Sequence, residues 1–181
     1  MPAAPPMWRP MTAADLPAVL AVAAAVHPDY PEDETVFAER LHLFPQGCLV
    51  LEGADGPIGY VIAHPWQRAA PPALNSLLRE LPSQAGCFYI HDLALLPQAR
   101  GSGAGGVVAA RLAEIAADAG LSCLALVAID GSSGFWRRQG FRSVHEPALA
   151  EKLASYDDAA RYMERALHPE HETTAEGRTT P

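Results

Sequence analysis

Apolar and polar positions along the chain change period several times, and each change marks an element. "MWRPM" predicts a short strand. Thr12 follows as an N-cap with Asp15 three residues on, opening a helix through "LPAVLAVAAAV". "DETVFAERLHLF" predicts a second helix, bounded by Pro31 and Pro45. "GCLVLEG" and "PIGYVIAHP" flank "ADG" and predict a hairpin. The pattern then breaks over "WQRAAPPALNSLLRELPSQAG", a proline-rich connection with a short helix expected around Leu74–Leu81.

"CFYIHDLALL" resumes as an apolar strand and runs straight into "PQARGSGAGG". "AGGVVAARLAEIAADAG" has strong helical periodicity, closed by Gly120 as a C-cap. "LSCLALVAI" predicts a buried strand, "GSSGFWRRQG" a short helix and turn, and "FRSVHE" a strand. Within "LASYDDAARYMERAL" a last strand is expected from about Arg161 to Leu167. The order ββ, βαβ, αβ is mixed α/β. "MPAAPP" and "HPEHETTAEGRTTP" predict a flexible segment 1–6 and a disordered tail 168–181, leaving one domain over 7–167.

Composition narrows the function classes. The 181 residues are 49% hydrophobic and 19% charged, with formal net charge −8. The basic set is sparse and scattered, with Lys152 the only lysine, which argues against a nucleic-acid groove or an anionic membrane surface. Cationic substrates are compatible with it. Cys48, Cys87 and Cys123 form no CxxC pair and read as reduced, buried thiols. His27, His42, His64 and His145 make no metal spacing, so no metal is expected. Without a leader pattern or a long apolar run, the chain reads as soluble and cytoplasmic.

The stretch "PQARGSGAGG" holds four glycines in ten residues, between a strand and a helix. Bare backbone at a helix start is an anion site, since unpaired N–H groups and the positive end of the helix dipole point outward. Gly101, Gly103 and Gly106 fit GxGxxG, and Asp130 ends the next strand, which is the dinucleotide-binding pattern. Against it, the fingerprint begins past mid-chain and only about 50 residues follow Asp130, too few for a doubly wound sheet. A Walker A loop is excluded because no Gly-Lys-Ser/Thr follows.

Arg100–Gly101–Ser102–Gly103–Ala104–Gly105 resembles the acyl-CoA motif of the GCN5-related N-acetyltransferases: Gln or Arg, two residues, Gly, one residue, then Gly or Ala. "GFWRRQGF" resembles that family's FYxxxGF motif through Phe135, Trp136, Gly140 and Phe141, and "WRPMTAADLPAVLAV" its opening strand and helix. The similarity spans about residues 7–167. It implies a central, mostly antiparallel sheet of six or seven strands flanked by helices, splayed between strands four and five. It implies acetyl-CoA as acyl donor, with the pantetheine arm along Leu93, Leu95 and Leu96. The pyrophosphate would then sit on amides from Arg100 through Gly101, Ser102, Gly103, Ala104 and Gly105 to Gly106. Ser133 matches a region that touches the CoA arm, with helix capping as the competing reading.

The implied reaction is acetyl transfer to a primary amine of a small molecule or a protein, and a homodimer stays open. Amine attack on a thioester needs a proton acceptor, a donor to the carbonyl oxygen and an acid for the thiolate. His91 and Asp92 stand on strand four, and strand alternation sends them to opposite faces. An ordinary imidazole titrates near pH 6.5, which suits a base. Trp136 occupies the position of the family's acidic tyrosine and has no titratable proton, so Tyr156 or Tyr89 becomes the candidate acid. "HPDYPEDE" reads as a solvated loop before the second helix, and the resemblance implies that this region borders the acceptor pocket, where its acids would draw an amine. A non-catalytic acyl-CoA-binding module and an NAD(P)-binding protein remain the alternatives.

Overall fold

Cys48–Leu51 lie in β2 (Cys48–Gly53) and are all buried: Leu49 and Leu51 pack on one side of the sheet, Cys48 and Val50 on the other. In β3 (Gly56–Trp66) Val61 and Ala63 likewise alternate with Tyr60 and Ile62. Side chains alternate faces along a strand, so an unbroken apolar run belongs where helices cover both sides. The computed structural model describes residues 5–129, 131–154 and 156–167; the expected tail and Asp130 lie outside the described residues.

The remaining strands are β1 (Met7–Pro10), β4 (Cys87–Leu95), β5 (Cys123–Ala128), β6 (Arg142–Ser143) and β7 (Arg161–Ala166). They make one seven-stranded sheet in the order β1-β2-β3-β4-β5-β7-β6. Every neighbouring pair is antiparallel except β4 and β5. This is the mixed, mostly antiparallel sheet that the motifs implied. A single parallel pair cannot make a doubly wound dinucleotide fold.

On one face lie α1 (Leu16–Val26) and α2 (Glu34–Leu43), whose Leu16, Val19, Val22 and Phe37 pack on Cys48, Val50, Tyr60 and Ile62. On the other lies α3 (Ala104–Asp118), burying Gly105, Val108, Ala109, Leu112 and Ala116 at spacings of one, three and four. Gly120 ends it at φ +75°, and the N–H groups of Gly120 and Leu121 bond back to the Ala117 and Ala116 carbonyls, each at 2.9 Å. Thr12 donates from its amide and hydroxyl to the Asp15 carboxylate at 2.8 and 3.0 Å. Arg9 also forks onto Asp15, at 2.9 and 2.8 Å, and holds its carboxyl well below the usual range. The short α4 (Ser133–Arg138) and α5 (Ala150–Ala154) complete the order.

Two expected elements are corrected. No helix forms over 74–81. Ala69, Asn75 and Arg79 take left-handed backbone (φ 53, 51 and 71°), and carboxylates on and before α2 capture the amides that a helix would need. Asn75 N–H donates to Glu32 at 2.9 Å, and the Leu78 and Arg79 N–H groups donate to Glu39 at 2.6 and 3.0 Å. The buried Arg40 reaches the Ser76 carbonyl at 3.0 Å. The segment is thus a strap tied along α2. The strand expected in "FRSVHE" shrinks to Arg142–Ser143, because Phe141 turns fully into the core against Trp136 and Pro147 opens a 3-10 turn.

Candidate active site

β4 and β5 pair only at Phe88↔Leu124, Tyr89↔Ala125 and Ile90↔Leu126, and beyond Ile90 they part. On its other edge β4 stays paired with β3 as far as Gly59↔Leu95, and Leu96 N–H donates to the Ile58 carbonyl at 2.9 Å. Antiparallel pairing alternates the direction of backbone groups, so Leu93 and Leu95 present theirs to the gap. Leu96 does not: its N–H is taken by β3, which removes it from the predicted cofactor set.

The gap opens into a cavity of about 610 Å³. Leu93, Leu95, Leu126, Ile129, Phe135 and Trp136 form its apolar wall, with Arg100 and Ser132 at the rim. His27, Asp29, His91 and Asp92 line the other side. Trp136 is 7% exposed and stacks edge-on against Phe135 and Phe141 at 4.9 and 5.2 Å, so it serves as wall and core. Ser133 begins α4, while its neighbour Ser132 lines the cavity.

Of the glycine-rich stretch only Arg100 lines this cavity; Gly105, in the first turn of α3, lies behind its Phe135 wall. Gly103 is the N-cap at φ +85° and Gly101 sits at φ +74°. A Cβ at either would meet nothing within 4 Å, so these glycines supply backbone freedom on an open surface. Ser102 Oγ donates to the Ala99 carbonyl at 2.7 Å and accepts from Ala104 N–H at 3.3 Å. The first intrahelical bond is Val107 N–H to Gly103, so the amides of Ala104, Gly105 and Gly106 have no partner within the helix. Trp8 Nε1 donates to the Ala104 carbonyl at 2.9 Å and pins the helix start to β1. Arg100 Nε donates to the Leu95 carbonyl at 3.1 Å.

Gly105 also has a packing reason to be glycine: its Cβ would sit 2.9 Å from Phe135 Cζ and 3.0 Å from Cε2, so either the ring or the helix start would have to shift.

His91 and Asp92 do not face opposite ways. The β3–β4 register skips between Ile62↔Asp92 and Ala63↔Ile90, leaving His91 as the extra residue of a bulge. Both side chains therefore turn toward the connection between α1 and α2. His91 Nε2 lies 2.8 Å from Glu32 Oε1, and Asp92 Oδ1 lies 2.9 Å from His27 Nε2. The Tyr60 hydroxyl donates to Asp92 Oδ2. Burial would raise both carboxyls, but the hydrogen bonds from His27 and Tyr60 to Asp92 hold it below its ordinary value. The bond from His91 does the same for Glu32. Burial and the Asp92 charge push the Tyr60 phenol well up.

Glu32 and His27 escaped the sequence reading. "HPDYPEDE" is acid-rich and reads as solvated, and His27 as one of several scattered histidines; the family resemblance is the one signal that points to this region. Tyr156 does not line the cavity with His91 and Asp92, although the Glu32 charge reaches its phenol. Its hydroxyl donates to the Pro72 carbonyl, beside a smaller cavity lined by Ala73, Leu74 and Lys152. Burial pushes its phenol up to about 12 and that of Tyr89 well above ordinary.

A parallel strand pair that splays beside a glycine-rich helix start is the frame of an acyl-CoA acyltransferase. Residues 11–141 match the model of the Acetyltransferase (GNAT) family, and the chain belongs to that family. Among solved structures it is similar to Ard1 from Thermoplasma volcanium, with 14% identity, TM-score 0.69, and coverage of 91% of this chain and 99% of that one. It is similar to Naa20 from Chaetomium thermophilum in complex with a bisubstrate analogue: 18% identity, TM-score 0.66, coverage 88% and 86%. It also resembles part of N-acetylglutamate synthase from Neisseria gonorrhoeae, complexed with coenzyme A and N-acetyl-glutamate, with 18% identity, TM-score 0.66, and coverage of 92% of this chain and 36% of that one. No curated protein matches the chain. Among the described residues no helix is long and apolar enough to cross a membrane, and no cluster of His, Cys, Asp and Glu could hold a metal ion.

Proposed function

We propose that the protein transfers the acetyl group of acetyl-CoA to a primary amine of a small molecule or protein. One observation carries this reading: the cavity in the gap between β4 and β5 is lined by His91 and Asp92 and also by Arg100 and by Phe135, on which Gly105 of the α3 start packs. The chain fits the donor. The α3 amides of Gly105 and Gly106 suit the pyrophosphate, the open surface at Gly101 and Gly103 admits it, and the backbone of Leu93 and Leu95 suits the pantetheine arm. Coenzyme A in the similar N-acetylglutamate synthase supports that choice. Acetyl-CoA supplies an activated acyl group as a thioester.

His91 takes a proton from the acceptor ammonium, directly or through one water, leaving a neutral amine able to attack the carbonyl carbon. Asp92, ionised, attracts the cationic acceptor. A β4 backbone N–H in the gap receives the charge that develops on the carbonyl oxygen. Tyr156, turned to Pro72, and Trp136, without a titratable proton, leave the thiolate to take its proton from the attacking nitrogen.

Thermal shift with acetyl-CoA, CoA, NAD and NADP checks the donor, since a ligand that binds only the folded state raises Tm. Stabilisation by CoA compounds is expected, and a response to NAD alone overturns the reading. Thiol release across an amine and peptide panel checks the transfer. His91→Ala should lower turnover by roughly 10²–10⁴ with acetyl-CoA binding intact. Turnover within a few-fold of the parent removes His91 from the mechanism. Trp136 favours one second reading, a non-catalytic acyl-CoA-binding module, which stabilisation by CoA without thiol release on any amine would support.

A further inference from the structure

Glu32 sits in an acid-rich connection, yet its side chain is only 6% exposed. A carboxylate that deeply buried is costly unless its oxygens are matched. Both are. Oε1 lies 2.8 Å from His91 Nε2, and Oε2 accepts the Asn75 N–H at 2.9 Å. Asn75 stands at φ +51°, a conformation that asparagine tolerates better than most side chains. Its own side chain accepts from the Asp33 N–H at 2.8 Å and donates to Asp33 Oδ2 at 3.3 Å. The strap between β3 and β4 therefore grips residues 32 and 33 from outside, while His91 meets Glu32 from within.

An ionised carboxylate can only accept, so Nε2 of His91 carries the hydrogen and Nδ1 holds the lone pair. His91 lines the cavity, and Glu32 does not. We infer that Glu32, set in place by Asn75, is the positioning residue that makes His91 a proton acceptor. This rests on His91 being the base of the proposed transfer. The acceptor's ammonium loses one proton to Nδ1 and keeps the electron pair on nitrogen. Glu32 faces the resulting imidazolium, and Nδ1 then gives the proton to water, restoring the neutral ring.

Asp92 follows His91 on β4 with His27 of the α1 end upon it, and His64 of β3 has its ring centroid 6.5 Å from that of His91. The charges or phenols of Arg40, Tyr60, Tyr89 and Tyr156 act on Glu32 or are acted on by it. His64 is buried and neutral, so it sets no competing positive charge beside the His91 ring. Glu32 is the carboxylate that touches the ring.

The test is Glu32→Gln in the full chain. Glutamine can still accept from Nε2–H but brings no charge. Ring ¹⁵N NMR of the free protein should show the Nε2–H form of His91. In the variant, loss of the carboxylate disfavours the imidazolium, so the ring titrates at lower pH. In thiol-release assays with acetyl-CoA and an accepted amine, kcat should fall by roughly tenfold or more, as the acidic limb of the rate profile moves to lower pH. KM for acetyl-CoA should stay put. An Nδ1–H ring in the parent, or an unmoved titration in Glu32→Gln, overturns the inference even where transfer proceeds. If Glu32→Gln does not fold, the tautomer of the parent still decides. Asn75→Gly, which keeps the left-handed backbone but frees Asp33, should then give a smaller shift in the same direction. If the ring behaves as expected but no amine is acetylated, positioning stands and the transfer reading fails.

Discussion

Gly105→Val separates the two reasons a glycine can be required in this loop. A Cβ at 105 would lie 2.9 and 3.0 Å from two ring atoms of Phe135, where ordinary contact begins at 3.4 Å. The ring, or the start of α3, must therefore move by about 0.5 Å before the valine methyls are placed, and overpacking of this kind costs ~1–3 kcal/mol. Valine regains a few tenths of a kcal/mol over glycine in helix propensity, which leaves a net loss of about 2 kcal/mol. For a domain of this size that lowers Tm by roughly 4–8 °C. Phe135 also lines the cavity and stacks on Trp136, so a displaced ring narrows the space proposed for CoA. We expect CoA binding weaker by about tenfold, or 1.4 kcal/mol. Thermal unfolding and titration calorimetry measure both. The decisive control is the double variant Gly105→Val/Phe135→Leu, which should recover about 1 kcal/mol relative to the sum of the single changes. Strict additivity in that cycle would refute the packing account and return Gly105 to a purely ligand-facing role.

Two further outcomes follow from buried groups. His64 is fully buried, its Nδ1 faces the Pro65 carbonyl at 3.0 Å, and burial pushes its pKa down to about 3. Between pH 6.5 and about 3 the unfolded chain holds a proton the folded one lacks, so stability falls as pH drops through that window, by up to ~1.4 kcal/mol per unit. His64→Leu should flatten that slope in urea melts at pH 5, 6 and 7, and an unchanged slope assigns it to other groups. Tyr156→Phe removes the bond to Pro72 and should cost about 1 kcal/mol while turnover stays within a few-fold. A fall of roughly 100-fold with CoA binding intact would instead put Tyr156 on the proton path.

Local chemistry was enough to specify most elements. Unbroken apolar runs at Cys48–Leu51 and Cys123–Leu126 need cover on both faces, helical spacing from Val108 to Ala116 needs a buried stripe, and Gly120 stops a helix wherever it is placed. The glycine-rich helix start at Gly101–Gly106 was legible for the same reason: positive φ and amides without intrahelical partners are properties of a short segment. Tertiary structure decided whatever depended on two segments meeting. The strap failed to become a helix because Glu32 and Glu39, more than thirty residues earlier, took its amides. Leu96 lost its place in the gap because Ile58 took its N–H. His91 and Asp92 came to one face through a bulge, which is a mismatch between two strands and leaves no mark in either alone. The Glu32–His91 and His27–Asp92 pairs span 59 and 65 positions, distances over which spacing carries no signal. Residue type and local pattern settle backbone preference, whereas burial, register and the partner of a charge exist only once the chain has closed on itself.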